Sequence, residues 1–333
     1  MKIASFPNLL HSFFHERLGQ QRNLSRHTVM SYRDTWRLFL RFVGDRSPKA
    51  IVDITWADLT ADTVLTFLQH LEDVRKVCAG TRNCRLAGIH AFFNFVAERE
   101  PCLVAQCTEI SRIPSKRTNR PAMCYLEEDE IIEILKQPNR SIAEGHRDHV
   151  LLSFLYNTGA RIQEALDLTP AAIRFESPAQ VELLGKGRKT RICPLWPETV
   201  ALIKALLRRN PRADNEPIFV NYRGDPLGAR GVRFKLARYA NDAAKTMPSI
   251  RKKNVSPHVF RHSAGVMLVS AGVDITVIRS WLGHARLDTT NQYARANLET
   301  KRKALEQVDV SSRPGKPPRW KNDPELLVWL DSL

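Results

Sequence analysis

Nowhere does the 333-residue chain approach the roughly 18–20 consecutive apolar residues that a membrane span needs. Its first twenty residues contain His11, His15, Glu16 and Arg17 and lack an apolar core followed by a small-residue cleavage site, so no secretory leader is expected. Cysteine is scarce and unpaired in pattern. The six residues Cys78, Cys84, Cys102, Cys107, Cys124 and Cys193 form no Cys-x-x-Cys pair, which argues against a disulfide framework or a zinc site and for reduced thiols in the cytoplasm. Acidic residues are the minority, 35 against 51 lysines and arginines. The resulting charge of +16 calls for a polyanionic partner, and with no membrane or secretory signal the expected one is nucleic acid. No acidic cluster is placed to hold Mg²⁺. His146 and His149 stand three apart, but without a cysteine or carboxylate in register they read as a helix surface and not as a metal site.

What is present is helical periodicity. Residues 24–43 carry Val29, Tyr32, Trp36, Phe39, Leu40 and Val43 on one face, with Ser25 as a cap. Residues 60–74 repeat the pattern through Val64, Leu68 and Leu71, and residues 80–97 through Leu86, Ile89, Phe93 and Val96. Residues 1–105 therefore read as a bundle of about four helices. Residues 106–125, with prolines, a basic run and no helical period, read as an extended linker. Residues 126–310 read as a second domain, with helices near 126–135, two within 147–168 joined at Thr158-Gly159, and others near 198–209, 229–245, 258–271, 274–282, 288–296 and 298–307. Within it, residues 180–194 read as a β-hairpin turning at Gly185-Lys186-Gly187. Residues 311–333 read as a tail ending in a short amphipathic piece, with two readings open: a disordered end, or a segment docking on a neighbouring protomer. The expected class is mainly α with one small β-hairpin or sheet. Both lobes are basic: residues 1–120 hold 18 basic and 11 acidic side chains, an excess of 7, and the remainder an excess of 9, as a clamp around a duplex would need.

The chemistry concentrates in the second lobe. Arg161 and Arg261 offer planar donor forks matched to two oxygens of one phosphate. Lys186 on a hairpin tip supplies a mobile proton, with Arg188 and Lys189 beside it for backbone phosphates. His258 and His284 titrate near neutrality. Tyr293 offers a phenolic nucleophile. His258 and Arg261 share a helix face at i,i+3, which favours His258 over its neighbour His262. Glu164, three residues beyond Arg161, can hold that guanidinium in place. The set fits phosphoryl transfer through a covalent phosphotyrosine, without metal or other cofactor. Lys116, Arg117 and Arg120, between the lobes, are candidate phosphate contacts.

The order Arg, Lys, His-x-x-Arg, Gly-His, Tyr resembles the tyrosine recombinases, or phage integrase family. The segments TGARIQEAL, GKGRKTRICPL, SPHVFRHSAG and LGHARLDTTNQYA carry the likeness, and the first lobe with LSRHTVMSY resembles that family's core-binding domain. The resemblance spans roughly residues 5–307. It implies that Tyr293 attacks the scissile phosphate and stays linked to the 3′ phosphate. Arg161 and Arg261 would then neutralise the non-bridging oxygens, and Lys186 would protonate the leaving 5′ oxygen. His258 would take the tyrosine proton or position the phosphate, and His284 would donate a hydrogen bond to it. It implies further a homotetramer, or related recombinases, on two double-stranded DNA sites exchanging strands through a Holliday junction. A cytoplasmic, nucleoid-associated enzyme is expected, of Xer or mobile-element type. A type IB topoisomerase and a catalytically inactive DNA-binding protein are the alternative readings.

Overall fold

Apolar side chains three and four residues apart commit most of the chain to helix. A computed structural model describes residues 4–46, 50–118, 123–185, 189–283 and Tyr293. The chain divides at Pro121/Ala122 into two units.

The first unit is all helix. Helix α1 (Phe6–Ser12) runs on as a wider π-type turn over Phe13–Gln21 and is followed by α2 (Arg26–Arg46), α3 (Ala61–Asp73), α4 (Ala79–Arg99) and α5 (Val104–Ser111). Thr60 caps α3 by accepting from the Thr63 amide at 3.2 Å. The core is aromatic. Phe6, Phe13, Trp36, Phe39, Phe67, Phe92, Phe93 and Phe95 are all buried, with Trp36 edge-on to Phe92 at 4.6 Å between centroids. Such rings dominate core energetics through area, with about 0.5–1.5 kcal/mol more per well-oriented pair.

The segment expected to be extended from residue 106 is helical through Ser111. Pro101 opens a 3₁₀ turn there instead of breaking structure, and Leu103, Cys107, Ile110 and Ile113 are buried on the first unit's core. Proline at a helix start and the spacing 103, 107, 110 were the available signals; flanking Val104 and the prolines masked them. Among the described residues the next segment has no regular secondary structure up to Thr118 and from Met123 to Glu127.

In the second unit, α6 (Glu128–Lys136) and the almost wholly buried α7 (Ala143–Thr158) lead into α8 (Ile162–Leu166). A three-stranded antiparallel sheet follows in the order β1 (Ile173–Arg174), β2 (Gln180–Leu184), β3 (Thr190–Pro194). The register pairs Val181 with Cys193 and Leu183 with Arg191. Gly185 donates its amide to the Lys189 carbonyl at 2.8 Å and closes the hairpin where the sequence placed it. Helices α9 (Pro197–Arg209), α10 (Ala229–Ala243), α11 (Pro257–Ser270) and α12 (Ile275–Leu282) complete the described part. Ser256 caps α11, Asp274 caps α12, and Gly283 ends α12 in the left-handed conformation at φ 64°. The class is therefore the expected one, mostly helix with one small sheet. The helices expected at 288–296 and 298–307 and the tail from 311 lie outside the described residues, apart from Tyr293. No helix of the described residues is long and apolar enough to cross a membrane.

Candidate active site

The second unit gathers several of its candidate side chains around the end of α12. Helix α7 stops at Gly159, whose φ of 59° frees the chain to turn. A Cβ at this position would also collide with Leu282. The turn has two consequences. It aims the Gly159 carbonyl at α11, where Arg261 Nη1 donates to it at 2.6 Å. Two residues later it sets Arg161 at the start of α8. There Glu164 accepts from the Arg161 backbone amide at 2.9 Å and from its Nη1 at 2.7 Å. This is the pairing that the i,i+3 spacing predicted.

The two guanidinium groups then converge on adjacent carbonyls. Arg161 Nη2 donates to Gly283 at 3.3 Å, and Arg261 Nη2 donates to Leu282. Arg261 is 4% exposed. Burial first and the neighbouring Arg161 charge second lower its pKa to about 10, so it stays cationic at neutral pH.

Arg191, one of several basic residues in the hairpin motif, has no role that the sequence pattern assigns. From β3 its Nη2 donates to Glu164 Oε2 at 2.7 Å and its Nε to the Trp281 carbonyl at 2.8 Å. The buried carboxylate of Glu164 thus sits between two arginines, ties α8 to the hairpin, and through Arg191 ties the hairpin to the end of α12. Burial pushes its carboxyl up, but the bonds and charge of Arg191, together with those of Arg161, outweigh that and hold it below the ordinary carboxylate range.

Tyr293 is fully buried, its ring stacked over Gly265 and packed with Val266, Val269, Ile278 and Leu282. Its hydroxyl lies 3.3 Å from His262 Nδ1. Burial raises the phenol's pKa, while the charges of Arg261 and Arg161 oppose the rise, so both guanidinium groups act on it. His258 is exposed at the first turn of α11. Desolvation, then Arg261, Arg233 and Arg161, lower its pKa and favour the neutral ring.

Arg161, Arg261, Glu164, Tyr293 and, through its charge coupling, His258 therefore share one neighbourhood. Lys186, Arg188, His284 and Arg120 lie outside the described residues. Lys189 and Arg117 are exposed. Lys116, in the first unit, already spends its ammonium on Glu72 at 2.8 Å. His149 Nδ1 donates to the Leu135 carbonyl at 2.8 Å, and among the described residues no three histidine, cysteine or acidic side chains group as metal ligands.

Residues 124–300 match the phage integrase family, and residues 12–100 match the phage integrase N-terminal SAM-like domain. A Sinorhizobium fredii protein described as an integrase/recombinase, y4rC, is 37% identical over all of this chain and 99% of its own length. The tyrosine recombinase XerC of Roseiflexus castenholzii is 30% identical, covering 86% of this chain and 88% of that protein. Among solved structures, the XerH site-specific recombinase bound to palindromic difH substrate has the same fold, with a TM-score of 0.65, 20% identity, and coverage of 88% of this chain and 82% of that one. So does the Tn1549 transposon integrase bound to transposon right-end DNA, with a TM-score of 0.65, 15% identity, and coverage of 89% and 98%. The chain belongs to the phage integrase family, the tyrosine recombinases, and its activity is site-specific DNA recombination. These matches favour that activity over topoisomerase-like relaxation.

Proposed function

We propose that the chain cuts and rejoins duplex DNA through a 3′-phosphotyrosyl bond at Tyr293. The observation that supports this most is the convergence of Arg161 and Arg261 on neighbouring carbonyls beside the phenol. A phosphate there would meet two fixed cations while charge builds on its non-bridging oxygens. Removing one such preorganised donor costs on the order of 3 kcal/mol in comparable oxyanion sites.

In the proposed reaction the Tyr293 oxygen attacks phosphorus and the bond to the 5′ oxygen breaks. Lys186 gives that oxygen its proton, and His284 donates a hydrogen bond to the phosphate. His258, neutral by its surroundings, positions the phosphate. Glu164 touches no reacting atom and acts by orienting Arg161. The phosphodiester energy stays in the covalent bond, so a 5′ hydroxyl from a partner duplex can reverse the step without ATP. The phenol is enclosed, so the described side chains around it must part before its oxygen reaches phosphorus.

Arg117, Arg120, Arg188 and Lys189 are proposed backbone-phosphate contacts, and Lys116 a weaker one because Glu72 shares its charge. Four protomers on two DNA sites would exchange strands through a Holliday junction. The basic excess of both units suits a nucleoid-bound enzyme. A nicked suicide substrate tests the reading. The unaltered chain is expected to accumulate a covalent complex, in EDTA as well as without it, and Tyr293→Phe none. A covalent complex formed by the phenylalanine variant would remove the nucleophile assignment, and loss of activity in EDTA would remove the metal-free step.

A further inference from the structure

Three consecutive carbonyls at the end of α12 each take an arginine from a different element. Arg191 Nε on β3 donates to Trp281 at 2.8 Å, Arg261 Nη2 on α11 donates to Leu282, and Arg161 Nη2 at the start of α8 donates to Gly283 at 3.3 Å. The last carbonyls of a helix lack intrahelical partners and carry partial negative charge, which suits such a gathering of cations. The fit is close. A Cβ at position 283 would fall 3.0 Å from Arg191 Cδ and 3.3 Å from its Nη1, so the glycine leaves the space that this side chain crosses. Cys193, two residues along the same face of β3, also donates to the Trp281 carbonyl, Sγ to oxygen at 3.3 Å. Arg161 and Arg261 are the two arginines assigned to phosphate. Arg191 differs from them: its side chain is buried, and its Nη2 is taken by Glu164 Oε2 at 2.7 Å.

We propose that Arg191 is a positioning residue for strand cleavage. It touches no reacting atom and holds Glu164 and the end of α12 as the frame from which Arg161 and Arg261 meet the scissile phosphate. The proposal rests on the phosphotyrosyl reading above. The planar fork of Arg191 spans two groups that need a fixed separation, the last turn of α12 and a buried carboxylate on α8. Through Glu164 it fixes Arg161. Through Trp281 it fixes the two carbonyls that follow, on which both phosphate-binding guanidinium groups rest. The three cations lie close enough for the charges of Arg161 and Arg191 to act on Arg261. Their mutual repulsion works against convergence, and Glu164 and the helix-end carbonyls offset it. Neither contact of Arg191 involves Tyr293. Without this grip the two phosphate-binding forks lose their common support, and a misplacement of about 1 Å in such a site costs about 10²-fold in rate.

The experiment is single-turnover strand cleavage of a nicked suicide duplex by the full chain, with an ordinary phosphate or a methylphosphonate at the scissile position. In the methylphosphonate a neutral methyl group replaces one non-bridging oxygen, so the diester is uncharged before attack and depends less on well-placed cations. The unaltered chain sets the reference rate on each duplex. Arg191→Met keeps the stem and removes the fork. At saturating duplex its cleavage of the phosphate is expected to fall about 10²-fold, and the loss on the methylphosphonate to stay below about tenfold. Gel-shift affinity is expected to stay within about threefold of normal, because the buried side chain meets no DNA. Phosphate cleavage at the normal rate would overturn the proposal. So would an equal loss on the two duplexes, which marks general disruption of the unit and not misplaced cations. Should the methionine variant fail to fold, Arg191→Lys takes the same test: it keeps a cation beside Glu164 but lacks the planar fork, and the same outcomes decide. Tyr293→Phe runs in parallel on the phosphate duplex. Cleavage by it would sink the underlying reading whatever the Arg191 variants do, whereas an inert Tyr293→Phe beside a fully active Arg191→Met would sink this proposal alone.

Discussion

Glu164→Gln is the sharpest probe of how the site holds together. The carboxylate accepts from the Arg161 amide, from Arg161 Nη1 and from Arg191 Nη2, at 2.9, 2.7 and 2.7 Å. Glutamine keeps the shape but only one acceptor oxygen, and it turns an NH₂ toward a guanidinium. The Arg161 side chain is 33% exposed and can recover hydration, whereas that of Arg191 is 8% exposed and cannot. Removing one partner of a buried ion pair costs about 3–5 kcal/mol, and the retained oxygen lowers that to about 2–4 kcal/mol here. For a unit of this size each kcal/mol moves the melting temperature by about 2–4 °C, so a fall on the order of 10 °C is expected in the transition of the second unit. Calorimetry on the full chain reads it, and a double-mutant cycle with Arg191→Met isolates the pair. Residues in one buried network couple by about 0.5–3 kcal/mol. Cleavage of the suicide duplex should fall about 10²-fold as Arg161 loses its fixed position. A melting shift below about 2 °C together with a coupling energy below about 0.5 kcal/mol would refute the reasoning.

Other consequences follow from the same geometry. Glu164 has a folded-state pKa below its unfolded value, so its stabilisation is complete above the unfolded pKa of about 4.3 and is lost as pH falls through the folded one. Acid unfolding of Glu164→Gln should therefore be shallower than that of the unaltered chain, and parallel curves would contradict it. Arg261→Ala should lower single-turnover cleavage by about 10²–10³-fold, and it also leaves the Gly159 and Leu282 carbonyls without this donor, so its thermal stability should fall as well. Gly265→Ala should displace the phenol, reducing cleavage while gel-shift affinity for the duplex stays near normal; equal loss of both would point to general misfolding. Trp36→Ala should cost about 3–5 kcal/mol in the first unit and leave the melting of the second unit unmoved.

Much of this was legible along the chain because it is local. Period-3.6 apolar faces gave α2, α3 and α4, and the Gly185-Lys186-Gly187 turn gave the hairpin. Arg161 with Glu164, and His258 with Arg261, are neighbours within a single helical turn, so spacing alone paired them. Less legible was any feature whose meaning depends on a distant surface. Helix α5 lacks a strong pattern of its own and is held by the core that Leu103, Cys107 and Ile110 complete. Arg191 was one basic residue among several on a hairpin.

From residue identity and spacing alone came the class of fold, the phosphate chemistry and the family. Folding decided which of several equivalent side chains meet. Arg191 reaches a carbonyl 90 residues away, and His262 meets a phenol 31 residues away. Pair contacts at such separations are fixed by how α11, α12 and β3 pack, not by propensity or local pattern. A linear reading can count the histidines and arginines but cannot rank them.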